Sequence, residues 1–371
     1  MMIRSTAHYP EVSRPYAAEA VLARGRGAAS NASGRFEPFS RERIFDDAMP
    51  FEDLAPFRTE VTVERAKTVI TRNESPDIAF DRSINPYRGC EHGCAYCFAR
   101  PSHTYLGLSA GFDFEARLFA KADAAAVLER ELSAPSYVPK VIALGANTDP
   151  YQPIERDWRI TRSILEVLAR ARHPVGIVTK SALVTRDIDI LAPMAEQGLV
   201  KVAISVTTLD RKLARSLEPR ASTPDKRLEA ISRLSEAGIP VGVLVAPVIP
   251  AINDHEIERI LSAAWECGAR EAGYILLRLP LEVRDIFAEW LVTHAPDKAR
   301  HVLSLIRSTR GGKEYDSRFG IRQTGEGPFA WLLGRRFELA AGRLGFGKRR
   351  LKLATDLFRP PLAAGDQLSL F

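Results

Sequence analysis

The spacing of apolar and polar positions changes along the chain. Glu60-Val61-Thr62-Val63-Glu64 alternates with a period of two, which predicts a strand with one face in water. Ile78-Ala79-Phe80 predicts the beginning of a short strand that runs toward the cysteines near residue 90. Five continuous apolar runs follow, at residues 141–144, 175–178, 200–204, 241–245 and 274–277. They start about 25 to 40 residues apart, the length of a β–α unit. Short apolar runs alternating with helical patterns predict a parallel sheet covered by helices.

The helices between these runs carry recognisable ends. Residues 162–172 place Ile164, Leu165 and Leu168 on one face. Thr223-Pro224 opens a helix with a capping residue and a proline in the first turn. Gly238 closes it, with Pro240 just beyond. Leu228, Ile231 and Leu234 keep helical spacing inside it. Asn253-Asp254-His255-Glu256 opens another, which Gly268 ends, and Ile257, Ile260, Leu261 and Ala264 form its stripe. With the strand before the cysteines, the count is six β–α units, an α/β chain whose core is an incomplete (β/α)6 barrel of the TIM type.

The pattern changes after residue 295. Residues 298–309 predict a helix, Arg310-Gly311-Gly312-Lys313 breaks it, and residues 328–344 predict another with Phe329, Leu332, Leu333 and Phe337 on one face. The chain therefore divides into an N-terminal extension (1–55), a core (56–295), a helical region (296–358) and a tail (359–371). The stretch Arg24-Gly25-Arg26-Gly27-Ala28-Ala29-Ser30-Asn31 lacks apolar periodicity and reads as flexible, although Gly beside Arg also suits phosphate contact.

Composition narrows the class. A hydrophobic share of 46% in 371 residues supports a sizeable core. No apolar run reaches membrane-spanning length, and Met1-Met2-Ile3-Arg4-Ser5 does not open a secretory signal. A cytoplasmic protein that needs no membrane is expected. The net charge of +6 permits nucleic-acid binding without requiring it.

Chemistry concentrates in Arg88-Gly89-Cys90-Glu91-His92-Gly93-Cys94-Ala95-Tyr96-Cys97-Phe98-Ala99-Arg100. Three of the four cysteines stand here at C-x3-C-x2-C spacing. Three thiolates on one short loop can converge on one metal centre, and Gly89 and Gly93 allow the loop to fold tightly. A structural zinc site would need a fourth protein ligand. His92 lies inside the loop and Cys267 far downstream, so three ligands with an open iron suit a [4Fe–4S] cluster better.

C-x3-C-x-aromatic-C, with Tyr96 at the aromatic position, resembles the signature of the radical S-adenosylmethionine (SAM) enzymes. Asn85-Pro86-Tyr87 ahead of the loop and Phe98-Ala99-Arg100 after it resemble the branch related to spore photoproduct lyase, a DNA repair enzyme. The resemblance implies an incomplete (β/α)6 barrel and a cluster held by Cys90, Cys94 and Cys97. It implies SAM bound at the open iron and cleaved reductively to a 5′-deoxyadenosyl radical. It also implies a reductant such as flavodoxin or ferredoxin, and damaged DNA or another nucleic acid as substrate.

Reactive groups of parallel α/β barrels stand at the C-terminal ends of the strands. On that rule Asn147 and Thr148, after the second barrel strand, Lys180 after the third and Ser205 at the end of the fourth are candidates to hold SAM with Tyr96. The segment around Asn147 departs from the Gly-Gly-Glu-like sequence common among radical SAM enzymes. Residues 246–250 offer an apolar wall for adenine. Arg278 and His103 are weaker site candidates, and Glu155, Arg215 and Glu218 read as substrate-side residues or structural ion pairs. Cys267 reads as a small buried residue. The lyases use a cysteine hydrogen donor beside the second-strand loop, and residues 145–155 contain none, so the same repair reaction is not implied. Two other readings remain: radical modification of a small molecule or protein, and a non-catalytic iron–sulfur protein that binds DNA or the clamp.

Two C-terminal stretches bear on partners. Residues 343–352 interleave basic residues with Phe346 and leucines, a composition suited to a nucleic-acid backbone. Gln367-Leu368-Ser369-Leu370-Phe371 resembles the peptide by which bacterial repair proteins dock on the DNA polymerase sliding clamp.

Overall fold

The computed structural model describes residues 25–38, 58–348 and 352–361. The clamp-like peptide at 367–371 and part of the basic stretch at 343–352 lie outside the described residues. Strands run in chain order as β1 (Glu60–Val63), β2 (Thr71–Arg72), β3 (Arg82–Ile84), β4 (Tyr87–Arg88), β5 (Arg117–Ala120), β6 (Ile142–Leu144), β7 (Val175–Thr179), β8 (Val200–Ser205), β9 (Val241–Val248) and β10 (Glu271–Leu276).

Seven of them form one sheet in the order β10-β9-β8-β7-β6-β3-β2. The six from β3 to β10 are parallel neighbours, and β2 adds an antiparallel edge. Helices connect the parallel strands, and β10 does not close on β3. This is the incomplete (β/α)6 barrel. Burial explains the continuous apolar runs. Val175 and Ile177 of β7 face the helix layer and are buried, while Val178 is half-buried toward the interior. Both faces thus reward apolar residues. Near the N-terminal ends of the strands, Lys201 of β8 reaches Glu271 of β10, with Nζ to Oε2 at 3.1 Å.

The helix Pro224–Glu236 starts after Thr223 and stops before Gly238, which takes φ +75°. Ile257–Glu266 buries Ile257, Ile260, Leu261 and Ala264, the expected stripe. Gly327–Leu344 buries Ala330, Leu333 and Phe337, but Leu332 points to solvent. That helix packs mainly on the Ile257–Glu266 helix, with smaller contacts to β10 and to the Ala299–Ser308 helix. Phe337 packs on Tyr274 with ring centroids 4.8 Å apart, and Arg336 pairs with Glu258 at 2.7 Å. Only the narrow face toward these neighbours can be buried. Along the open edge of β10, the Gln323 carbonyl accepts from Leu276 N at 2.8 Å.

Two expectations need correction. The first barrel strand lies on the run toward the cysteines as expected but starts at Arg82 rather than Ile78, because pairing with Ile142–Leu144 sets its register. Residues 78–80 sit in the preceding turn, where Ala79 is exposed. The Gly- and Arg-rich segment is not loose over its described part. Gly27 lies against Gly93 of the cysteine loop, and the segment continues past Gly111, Thr104 and Leu108, with Ala28 and Ser30 buried. A second sheet, β1-β5-β4, was visible in sequence only as β1. Its β4 runs directly into the cysteine loop.

Candidate functional site

The cysteine loop follows β4 and closes over the C-terminal ends of the barrel strands. Gly89 and Gly93 adopt φ +74° and +65°, a region that L side chains avoid. Cys90 N donates to Phe114 O at 2.9 Å and Ala95 N to Leu217 O at 2.9 Å, so both ends of the loop are tied to neighbours. The cavity beneath is lined by Cys90, Cys94, Cys97, Tyr96 and Phe98 of the loop and by Asn147, Thr148, Lys180, Ser205 and Arg278 at strand ends. All eight residues singled out for the cluster and SAM therefore meet in one place.

Their polar groups are not equally free. The Tyr96 hydroxyl donates to Glu218 and lies 3.2 Å from Thr207 Oγ1. Thr148 Oγ1 donates to Tyr87 O at 2.8 Å, and Ser205 Oγ to Ala246 O at 3.0 Å. These hydroxyls have lone pairs left but no spare proton. Asn147 is set by its backbone N–H, which donates to Asn85 Oδ1 at 2.9 Å. Its side chain reaches Ser102 only at 3.5 Å. Lys180 forms no ion pair among the described residues, and its ammonium stands 5.8 Å from the Tyr96 ring centroid. Arg278 packs its guanidinium 5.0 Å from the Phe98 ring centroid, and its buried Nε has no hydrogen-bond partner. Two cations thus face the cavity without carboxylates.

Asp149 organises the other side. It accepts from Thr179 Oγ1 at 2.6 Å, Lys180 N at 2.8 Å and Tyr151 N at 2.9 Å, and lies 3.4 Å from His92 Nδ1. Burial alone would raise its pKa, but His92 and these donors hold it down to about 2. Burial pushes the Cys90 and Cys94 thiols up, and neighbouring anions and sulfurs add to the effect. Three cysteines lining one cavity, two of them with raised thiol pKa values, need a cationic centre to become thiolates. An iron–sulfur cluster is such a centre, so the donor set fits it.

Several buried residues that support the loop were missed or ranked low. Glu218 accepts from Tyr96, from Thr207 Oγ1 at 2.6 Å and from Arg227. Gln152 Oε1 accepts from Glu91 N at 2.8 Å while its Nε2 donates to Gly89 O at 3.2 Å. Arg100 and Glu115 form a buried pair beside Cys94. No local spacing marks these partners. The hint was a polar residue in a segment that otherwise buries itself, such as Glu218 after Leu217.

Other candidates lie elsewhere. Glu155 binds Tyr87, Thr161 N and Arg186 and is a structural hub. His103 is buried against Phe114, away from the cavity lining, and burial lowers its pKa to about 4. Arg215 lines a separate surface hollow. Cys267 caps the end of the Ile257–Glu266 helix and does not line the cavity.

A parallel, unclosed α/β barrel with three cysteines over its C-terminal face defines a class, and comparison identifies it. The model of the Radical SAM superfamily matches residues 84–264. An uncharacterized protein of Mycobacterium tuberculosis is 37% identical over 240 residues, which are 63% of this chain and 71% of the relative. Another, of Methanocaldococcus jannaschii, is 28% identical over 202 residues, 54% of this chain and 71% of the relative. A solved spore photoproduct lyase mutant with bound AdoMet and dinucleoside spore photoproduct aligns with TM-score 0.54 at 19% identity. That alignment covers 77% of this chain and 80% of the lyase, and the likeness is one of fold. The chain belongs to the radical SAM superfamily, whose enzymes use a [4Fe–4S] cluster and SAM. Among the described residues no helix is long and apolar enough to cross a membrane.

Proposed function

We propose that this chain binds SAM at a cluster held by Cys90, Cys94 and Cys97 and acts on a nucleic acid carrying a lesion. The observation that carries the reading is the cavity with two cations lacking carboxylate partners, Lys180 beside Tyr96 and Arg278 on Phe98. Reductive cleavage of SAM at such a cluster supplies a 5′-deoxyadenosyl radical that abstracts hydrogen from a substrate. Lys180 pairs with the SAM carboxylate, and Asn147 orients the amino-acid end. Thr148 and Ser205 offer lone pairs to SAM. Tyr96, fixed through Glu218, holds the loop between Cys94 and Cys97.

Arg278 and Phe98 then remain for the substrate. A guanidinium over an exposed aromatic ring suits a base and its phosphate. Phe98 is 44% exposed, so a planar group can reach it. Phe36 and Tyr105, both exposed, stack 5.1 Å apart. The lesion bound in the structurally similar lyase supports the same substrate class. Its reaction is not carried over, since no fourth cysteine lines the cavity among the described residues. The electron comes from a reductant such as flavodoxin or ferredoxin, in the cytoplasm, and the tail at 367–371 serves as a hook for the sliding clamp.

The test is anaerobic. The reconstituted protein is given reductant and SAM, and 5′-deoxyadenosine is measured with and without ultraviolet-irradiated DNA. Stimulation by irradiated DNA is expected. Cleavage that DNA leaves unchanged would keep the radical chemistry and overturn the nucleic-acid substrate. A fully loaded cluster that cleaves no SAM would overturn the enzymatic reading.

A further inference from the structure

The strap of residues 25–38 touches the cysteine loop at Gly27, and one buried carboxylate fixes its path there. Glu115 is fully buried. Its Oε2 accepts from Gly27 N at 3.0 Å and its Oε1 from Ala28 N at 2.8 Å. Arg26 Nη1 donates to the Glu115 carbonyl at 2.8 Å. Oε1 also takes Arg100 Nη2 at 2.5 Å. Arg100 is equally buried and donates through Nε to Cys94 O at 2.9 Å. Its Nη1 reaches Ala110 O at 2.9 Å and Gly111 O at 3.1 Å. The rigid guanidinium fork satisfies all of these acceptors at once. A path of charge-assisted hydrogen bonds thus runs from the strap backbone through Glu115 and Arg100 to the carbonyl of Cys94.

Shape supports the same contact. A methyl group on Gly27 would overlap the carbonyl oxygen of Gly93, inside the cysteine loop. A methyl on Gly93 would stand 2.6 Å from Glu115 Oε2. The two backbones approach this closely because both residues are glycines. The strap is anchored further along, where Asn31 and Asp113 exchange two hydrogen bonds of 3.1 and 3.0 Å. Ala28 packs with Ala110, Phe112 and Ile286.

The loop has little cohesion of its own. Its internal backbone bonds, Gly93 N to Cys90 O at 3.3 Å and Cys97 N to Cys94 O at 3.2 Å, are long. The three cysteines line one cavity, and their sulfurs repel one another once ionised. We infer that residues 26–28, Glu115 and Arg100 form a clamp that holds the cysteine loop folded over the cavity before any cluster is present. They are positioning residues, and the inference rests on the cluster assignment made above. Preorganisation of this kind removes the ordering cost from cluster binding.

The test uses the full chain with Gly27→Ala and, separately, Glu115→Gln. In apo protein under anaerobic conditions, iodoacetamide labelling of Cys94 and Cys97 is followed by mass spectrometry, with Cys267 as internal reference. Iron per chain after reconstitution and the electron paramagnetic resonance of the reduced cluster with and without SAM are the second and third readouts. Both variants should label Cys94 and Cys97 about tenfold faster, as expected when roughly one charge-assisted hydrogen bond no longer opposes local opening. Iron content should fall, the resonance should shift, and Cys267 should not change. Glu115→Gln leaves Arg100 buried without its carboxylate and risks misfolding. Gly27→Ala keeps that pair, so its thermal unfolding should stay near wild type and it decides the matter. A folded Gly27→Ala protein with wild-type labelling, iron and resonance would overturn the clamp, even if Glu115→Gln alters all three. Faster labelling of Gly27→Ala in a chain whose wild type takes up no iron would uphold the clamp and remove the cluster assignment instead.

Discussion

The two ends of the barrel treat their lysines differently. Near the strand N-termini, Lys201 meets Glu271 at 3.1 Å, and the pair is partly in water. Near the C-termini, Lys180 follows β7 directly and has an aromatic ring for a neighbour rather than a carboxylate. The same end holds Arg278 with an unpartnered Nε and three cysteines, two of them buried. A half-buried cation is costly unless something pairs with it. One end has its counterion built in, and the other leaves its cations facing the cavity. Supporting charges at the functional end are fully satisfied, as Glu218 with Arg227 and Asp149 with its donors show.

The largest test of this contrast is Cys94→Ala. Reconstituted iron should fall to near zero and SAM cleavage should vanish, with apo thermal stability little changed. Retained iron would remove the loop from the functional end. Glu218→Gln should come next. It leaves the Arg227 guanidinium buried without a counterion, at a cost of about 3–5 kcal/mol in denaturant unfolding. Wild-type stability would show that the network is not a support.

Lys180→Ala should weaken SAM binding about ten- to a hundredfold, the worth of one charge-assisted hydrogen bond, while iron content stays the same. Equilibrium dialysis of the reconstituted variant reads this directly. Unchanged affinity would make the two lysines equivalent. Lys201→Ala should have the smallest effect, within about 1 kcal/mol of wild-type stability, because the pair is solvent-screened. SAM affinity should not move, and a loss there would break the distinction between the ends.

Much of this site was legible in the sequence for a local reason. Cysteine spacing within eight residues describes a loop that can wrap one centre, whatever surrounds it. The strand-end rule brought Asn147, Thr148, Lys180 and Ser205 to the cavity because parallel strands all point the same way. The support was not legible. Glu218 reads as one more charge in Ser216-Leu217-Glu218-Pro219, and nothing nearby predicts that it fixes Tyr96. The strap shows the limit most clearly, since a segment without periodicity looks unstructured until its partner is known.

The sequence by itself determined the six β–α units, the helix ends at Pro224 and Gly238, and the cysteine loop. Periodicity, capping and ligand spacing act over a few residues and are written locally. The tertiary structure alone decided that the first barrel strand starts at Arg82 rather than Ile78. It alone decided that Leu332 faces water, and that Glu115 joins a distant strap to Cys94. Those outcomes depend on which surfaces meet, and a buried carboxylate is set by the donors that the fold brings around it.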